Sequence, residues 1–182
     1  MWIWIVVAVL ALLLIYALST YNTFVKLNNQ VKEAFSTMDV YLKKRWDLIP
    51  NIIETVKGYM KHEKDTLEEI VSLRNGAYDK MSDDEKISAN TKLSAGITKI
   101  MALAENYPEL KASENFKDLS KELSSCENDI ANSRKYYNGA VKAFNNKVEM
   151  FPSNILAGIF GYKVKEMFEI DSAERENVKV EF

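Results

Sequence analysis

The first 49 residues contain neither glycine nor proline; the first proline is Pro50 and the first glycine Gly58. Nothing in that stretch interrupts a helix, so its apolar pattern decides what the helix does. Met1–Leu18 (MWIWIVVAVLALLLIYAL) carries no charged side chain. From Asn22 to Ile49 the apolar residues Phe24, Val31, Phe35, Met38, Leu42 and Ile49 fall on one helical face, in the rhythm of a bundle or coiled-coil helix. The pattern predicts one rod, a membrane-spanning helix that continues into the first helix of an aqueous domain. At ~1.5 Å per residue such a rod reaches roughly 70 Å, about 30 Å of it inside a bilayer.

Three readings compete for Met1–Tyr21. A cleaved signal peptide would carry basic residues ahead of a shorter apolar core, whereas only the terminal amine precedes this one, although Ala17-Leu18-Ser19 would serve as a cleavage site. A buried core helix is rarely free of charge for so long. A retained span has the right length, with Trp2 and Trp4 at one edge and Tyr16 and Tyr21 at the other, where interfacial aromatics belong. Residues 1–20 are therefore expected to be a single-pass membrane anchor. Lys26 and Lys32 follow the span and no basic side chain precedes it, so the positive-inside rule places the domain in the cytoplasm and the short N-terminus outside.

Residues 21–150 are expected to be all-α. Only 6 Gly and 3 Pro in 182 residues leave few turns and favour a few long helices. Asp47-Leu48-Ile49-Pro50-Asn51 is the first punctuation; proline disfavours helical geometry in the residue before it and fits the first turn of a new helix. A reversal is expected there, with a kinked continuous helix as the alternative. A second helix then runs to about Asp79, with Gly58 as an interior glycine. Ser82-Asp83-Asp84-Glu85 is a capping box opening a third helix, which ends before Tyr107-Pro108. Ser113 caps a fourth helix reaching Val148 or beyond, its seam formed by Phe116, Leu119, Leu123, Cys126, Ile130, Tyr137, Ala140 and Phe144. Short connections make the scheme an up-down-up-down antiparallel four-helix bundle. In residues 151–182, the stretch Phe151–Tyr162 is apolar but too short to span a membrane. It either packs on the base of the bundle or inserts Ile155, Leu156, Ile159 and Phe160 into the interface. Met167, Phe168 and Ile170 are expected to dock, with a loose end beyond them.

The chemistry the sequence permits is narrow. Basic and acidic side chains number 24 and 26, a net charge of −2, which provides no basic patch for nucleic acid. The single cysteine, Cys126, excludes an internal disulfide and suits a buried helix seam better than a reactive thiol. His62-Glu63-Lys64-Asp65-Thr66 starts like a zinc-protease motif but has Thr66 where the second histidine belongs. No di-iron Glu-x-x-His pair and no phosphate-binding glycine loop are present, so no cofactor, metal or catalytic residue is expected. What remains is a polar seam: Asn28, Asp39, Arg45, Asp47, Glu63, Arg74, Glu127, Arg134 and Asn138. These residues pair with one another to fix helix register, or they line a pocket for a polar ligand. A contact patch of Lys43, Lys44, Trp46, Tyr107 and Glu109, an aromatic with mixed charges, suits a protein partner. The apolar seam of the first helix would also serve self-association, so a homo-oligomer is open.

An ordered series of residues resembles the bacterial LemA family over nearly the whole chain. It comprises Tyr21-Asn22, Asp39-Val40 with Leu42, Arg45, Asp47-Leu48-Ile49-Pro50-Asn51, Val56-Lys57-Gly58-Tyr59 and His62-Glu63. It continues with Tyr107-Pro108, Leu110, Ala112, Arg134, Tyr137-Asn138, Phe144-Asn145, Pro152 and Phe168-Glu169. Phe35 and Trp46 depart from it, standing where the family often has another aromatic. The resemblance implies a single-pass membrane protein with a helical-bundle domain and brings no catalytic residue. Some relatives are linked to building internal membranes or to genes for membrane-protein quality control, so it implies a scaffold role among lipid and protein partners.

Overall fold

The structure, a computed structural model, describes residues 1–60, 62–74 and 77–168. Among the described residues all regular structure is helical, as the patterning requires. The helices are α1 (Trp2–Lys57), α2 (Lys64–Ser72), α3 (Asp83–Ala104), α4 (Pro108–Ala112), α5 (Glu114–Glu149) and α6 (Ser153–Phe160), with a 3-10 turn at Tyr78–Lys80. Two compact units form: Met1–Ser36 with Arg134–Phe182, and Thr37–Ser133.

The reversal expected at Asp47–Asn51 is absent, because α1 continues through Pro50. Proline removes one helical hydrogen bond and crowds the carbonyl four residues back, at a cost of ~3 kcal/mol or more. Against this, Leu48, Ile49, Ile52, Ile53 and Val56 on both sides of Pro50 are all buried. Each such side chain contributes about 1.5–3 kcal/mol, so keeping them in one helical phase outweighs the local penalty. The helix stops instead at Gly58, where the Val56 carbonyl accepts from the amides of Tyr59 (3.0 Å) and Met60 (2.8 Å). Gly58 is thus an end signal and not the interior glycine of a second helix.

That second helix is also shorter than expected. α2 covers Lys64–Ser72 and buries Leu67 and Ile70 against α3. The two come so close that a Cβ on Gly96 of α3 would lie 2.9 Å from Ile70 Cγ1. The all-α class therefore holds, while the scheme of four long helices is replaced by three long helices and three short ones.

Other local signals act where the sequence places them. Ser82 Oγ accepts from the Glu85 amide (3.3 Å) and the Glu85 carboxylate accepts from the Ser82 amide (2.7 Å), closing the capping box. The Ser82 amide first, and then the Ser82 hydroxyl, which donates to Glu85 Oε2 at 2.9 Å, hold the Glu85 carboxyl below its ordinary pKa. Pro108 opens α4 at its first turn, the position where its missing N–H costs nothing. Ser113 separates α4 from α5, which passes through Gly139 to Glu149. Within α5 the buried stripe shifts by one from the expected register: Val141 is fully buried and Ala140 only half-buried.

In the first unit Phe24 is the centre of the packing. Its ring stacks on Tyr162 at 4.8 Å and meets Phe144 edge-on at 6.4 Å. Phe35 meets Tyr137 in the same edge-on way at 5.9 Å. α6 closes on Gly161, whose φ of +73° is the left-handed geometry glycine adopts without strain.

Candidate functional site

The polar seam separates into distinct clusters, and the largest surrounds Arg45 in the second unit. Arg45 is 0% exposed, unusual for a side chain that cannot shed its charge. Its Nε and Nη2 both donate to Asn90 Oδ1 (3.1 and 2.9 Å), and Nη2 also donates to the Asn90 carbonyl at 2.6 Å. Nη1 donates to Ser94 Oγ (2.5 Å) and to Glu127 Oε1 (2.6 Å). A guanidinium has five N–H groups, so every one is taken and none is left for a ligand. Expected members Arg45 and Glu127 do meet. Asn90 and Ser94 were missed, although Asn90 stands in phase with Leu93 and Ile97, so the same polar-in-seam signal that marked Arg45 was present there.

Asp39 forms a second cluster. Its carboxylate oxygens accept from Tyr78 Oη and Lys86 Nζ, both at 2.7 Å. Burial, reinforced by the hydrogen bond to Asp39 and its negative charge, pushes the Tyr78 hydroxyl far above its ordinary pKa, so it stays a donor. Tyr78 in turn packs on Trp46 at 5.3 Å, and the Arg74 guanidinium lies over the Trp46 indole at 5.4 Å. Trp46 is 3% exposed. It is core, which removes it from the contact patch expected of it. The apolar seam of α1 is wide enough at this level to take in the indole.

Other seam residues have separate roles. Asp47 is exposed and paired with Lys43 at 2.7 Å, one turn back. Glu63 is the residue before α2, without a side-chain cap bond, and Asn28 is half-buried in the first unit.

Arg134 and Asn138 act in the first unit, on the extended segment 162–168. Asn138 accepts from the Phe168 amide (2.8 Å) and donates to its carbonyl (2.9 Å). Asn145 does the same to Lys165, 2.8 Å each way. Seven residues of helix advance about 10.5 Å, and three residues of extended chain about 10 Å, so the spacing of the two asparagines matches that of Lys165 and Phe168 along the strap. Arg134 covers the Phe168 ring at 4.1 Å, and Phe168 is buried. Met167 is exposed and does not dock as expected; Ile170 lies outside the described residues. The residues Arg134, Tyr137-Asn138, Phe144-Asn145 and Phe168, which carried the family resemblance, are thus parts of one latch.

Of the expected contact patch, Tyr107 and Glu109 line a cleft of about 510 Å³ with Gly58, Tyr59, Asn106 and Pro108. Lys43 and Lys44 are not in it; Lys44 pairs with Glu122 at 3.3 Å. Cys126 is buried, its Sγ 3.3 Å from the Tyr41 carbonyl, and burial raises its thiol pKa. Among the described residues no group of three His, Cys, Asp or Glu could hold a metal ion. Ile155, Ile159 and Phe160 of α6 are exposed and Leu156 is half-buried. In α1 an apolar stretch near the N-terminus is long enough to cross a membrane and almost none of it is buried by protein.

A helix of that kind, joined to helical units in which Arg45 and Asp39 are held by internal pairing, defines a membrane-associated helical protein. The LemA family model matches residues 34–182, and the chain belongs to the LemA family. It is similar to magnetosome protein MamQ 2 of Paramagnetospirillum magneticum, 25% identical over 190 aligned positions covering 90% of this chain and 68% of that protein. It is similar also to protein LemA of Metamycoplasma hominis, 27% identical over 169 positions, 86% of this chain and 75% of the relative. Magnetosome protein MamQ of Magnetospirillum gryphiswaldense is 22% identical over 177 positions, covering 83% and 65%.

Proposed function

We propose that this protein is a non-enzymatic, membrane-anchored helical scaffold or adaptor that engages partner proteins at the membrane surface. The observation that carries the reading is α1 itself: one helix contains both the exposed apolar stretch and the buried core residues Met38 to Val56. A chain built so holds a folded surface close to a bilayer. Arg45, the group best suited to an anionic ligand, has all its donors occupied, which favours a structural seam over a sensor pocket. The names of its relatives tie two of them to magnetosomes, which fits work at a membrane.

The contact surface we assign is the cleft of Tyr59, Tyr107, Pro108 and Glu109, since the exposed Tyr59 and half-buried Tyr107 beside a charge make effective contact anchors. A photoreactive phenylalanine analogue replacing Tyr59 or Tyr107 in membrane-embedded full-length protein should crosslink to the same partner. The same analogue replacing Asp118, exposed on α5, should not. Equal crosslinking from all three positions would reject the surface. Loss of specific crosslinks in the native membrane altogether would reject the adaptor reading.

A further inference from the structure

Among the described residues nothing covers the apolar face of α6, and its position says what does. Ser153 and Ala157 are buried on one side of this helix. On the other, Ile155 and Ile159 stand one turn apart and are 57% and 70% exposed, and Phe151, two residues before the helix, is 79% exposed. The ring of Phe160 meets Tyr21 edge-on at 5.0 Å. Tyr21 stands where the apolar stretch of α1 ends. From Trp2 to Tyr21 the helix advances about 28 Å, close to the ~30 Å of a hydrocarbon core, so Tyr21 lies at the membrane–water boundary. Phe160 shares that level, and Leu14 and Leu18, both exposed, stand about two turns and one turn before Tyr21 on α1.

We infer that α6 is a second membrane contact: a short in-plane helix whose Ile155 and Ile159 side chains, with Phe151 just ahead of it, enter the headgroup–acyl boundary of the same bilayer that α1 crosses. At about 12 Å it cannot cross the membrane itself, and a surface-lying helix needs one apolar face and one side turned away from lipid, which Ser153 and Ala157 provide. Such a contact would fix the first unit against the membrane at two points instead of one. The inference rests on the reading that α1 spans the bilayer, so its test has to separate the two.

The test uses full-length protein carrying C126S, reconstituted in vesicles of phosphatidylcholine and phosphatidylglycerol. Nitroxide labels are placed singly through L10C, I155C, I159C and D118C, and relaxation by oxygen, which concentrates in lipid, is compared with relaxation by a water-soluble nickel chelate. Oxygen should dominate at positions 10, 155 and 159, and the chelate at 118. Lipid-like behaviour at 10 with chelate access at 155 and 159 would overturn the second contact and leave the anchor standing. Shielding of 155 and 159 from both reagents would mean a protein covers the face and would overturn it equally. Chelate access at 10 would remove the anchor, and the inference with it.

Discussion

At the scale of single residues, Arg45 shows how a charged group becomes a core residue. Removing a guanidinium from water costs several kcal/mol, and only complete hydrogen bonding offsets it. Asn90, Ser94 and Glu127 supply that set, reaching it from two different helices. Arg45→Ala would leave Asn90 Oδ1 without its donors and open a cavity, so a loss of about 3–5 kcal/mol is expected. Glu127→Gln keeps an acceptor oxygen and a half-exposed side chain, and should cost about 1 kcal/mol. Urea unfolding of the detergent-solubilised protein measures both; equal effects would show that the Glu127 charge, and not the full donor set, holds Arg45. Arg45 itself was visible in the sequence as a polar break in an apolar seam. Glu127 was visible in the same way, but the pairing was not, since the partners lie 45 to 82 residues away and no local pattern states which seam polar group meets which.

At the scale of elements, the strap 162–168 depends on a match of two periodicities. Asn138 and Asn145 are one heptad apart on α5, and each closes a two-bond ring with the strap backbone. The double substitution N138A/N145A removes four hydrogen bonds, worth ~1 kcal/mol apiece. It should release the strap without unfolding α5. Amide exchange of Lys165 and Phe168 should become fast while that of Ile130 and Val141 stays slow; continued protection of Lys165 and Phe168 would show that Phe168 burial alone is sufficient. The capping box at Ser82, the end of α3 before Tyr107-Pro108 and the long run of α5 were all legible, because each is set by neighbours within one helical turn; the short helix α4 that Pro108 opens was not expected. The passage of α1 through Pro50 stood only as the alternative to a reversal, since propensity there is outvoted by five buried side chains that only tertiary packing could reveal.

At the scale of the whole molecule, placement relative to the membrane follows from charge. Lys26 and Lys32 after the span, with no basic side chain before it, predict a cytoplasmic helical domain. With the buried Cys126 unreactive in the folded protein, a cysteine introduced as K117C at the exposed start of α5 gives a clean reporter. In intact cells an impermeant maleimide should leave it unlabelled and should label it once the membrane is opened; labelling of intact cells would invert the topology.

The sequence by itself determined that the chain is helical, where its apolar anchor lies and how α3 begins, because hydropathy, charge and capping act through adjacent residues. Only the tertiary structure decided that Trp46 is core and not surface, that Arg45 is answered by Asn90 and Ser94, and that the first break falls at Gly58 and not at Pro50. Those outcomes depend on which distant side chains compete for the same buried volume and the same hydrogen bonds, and that competition is settled only when the helices come together.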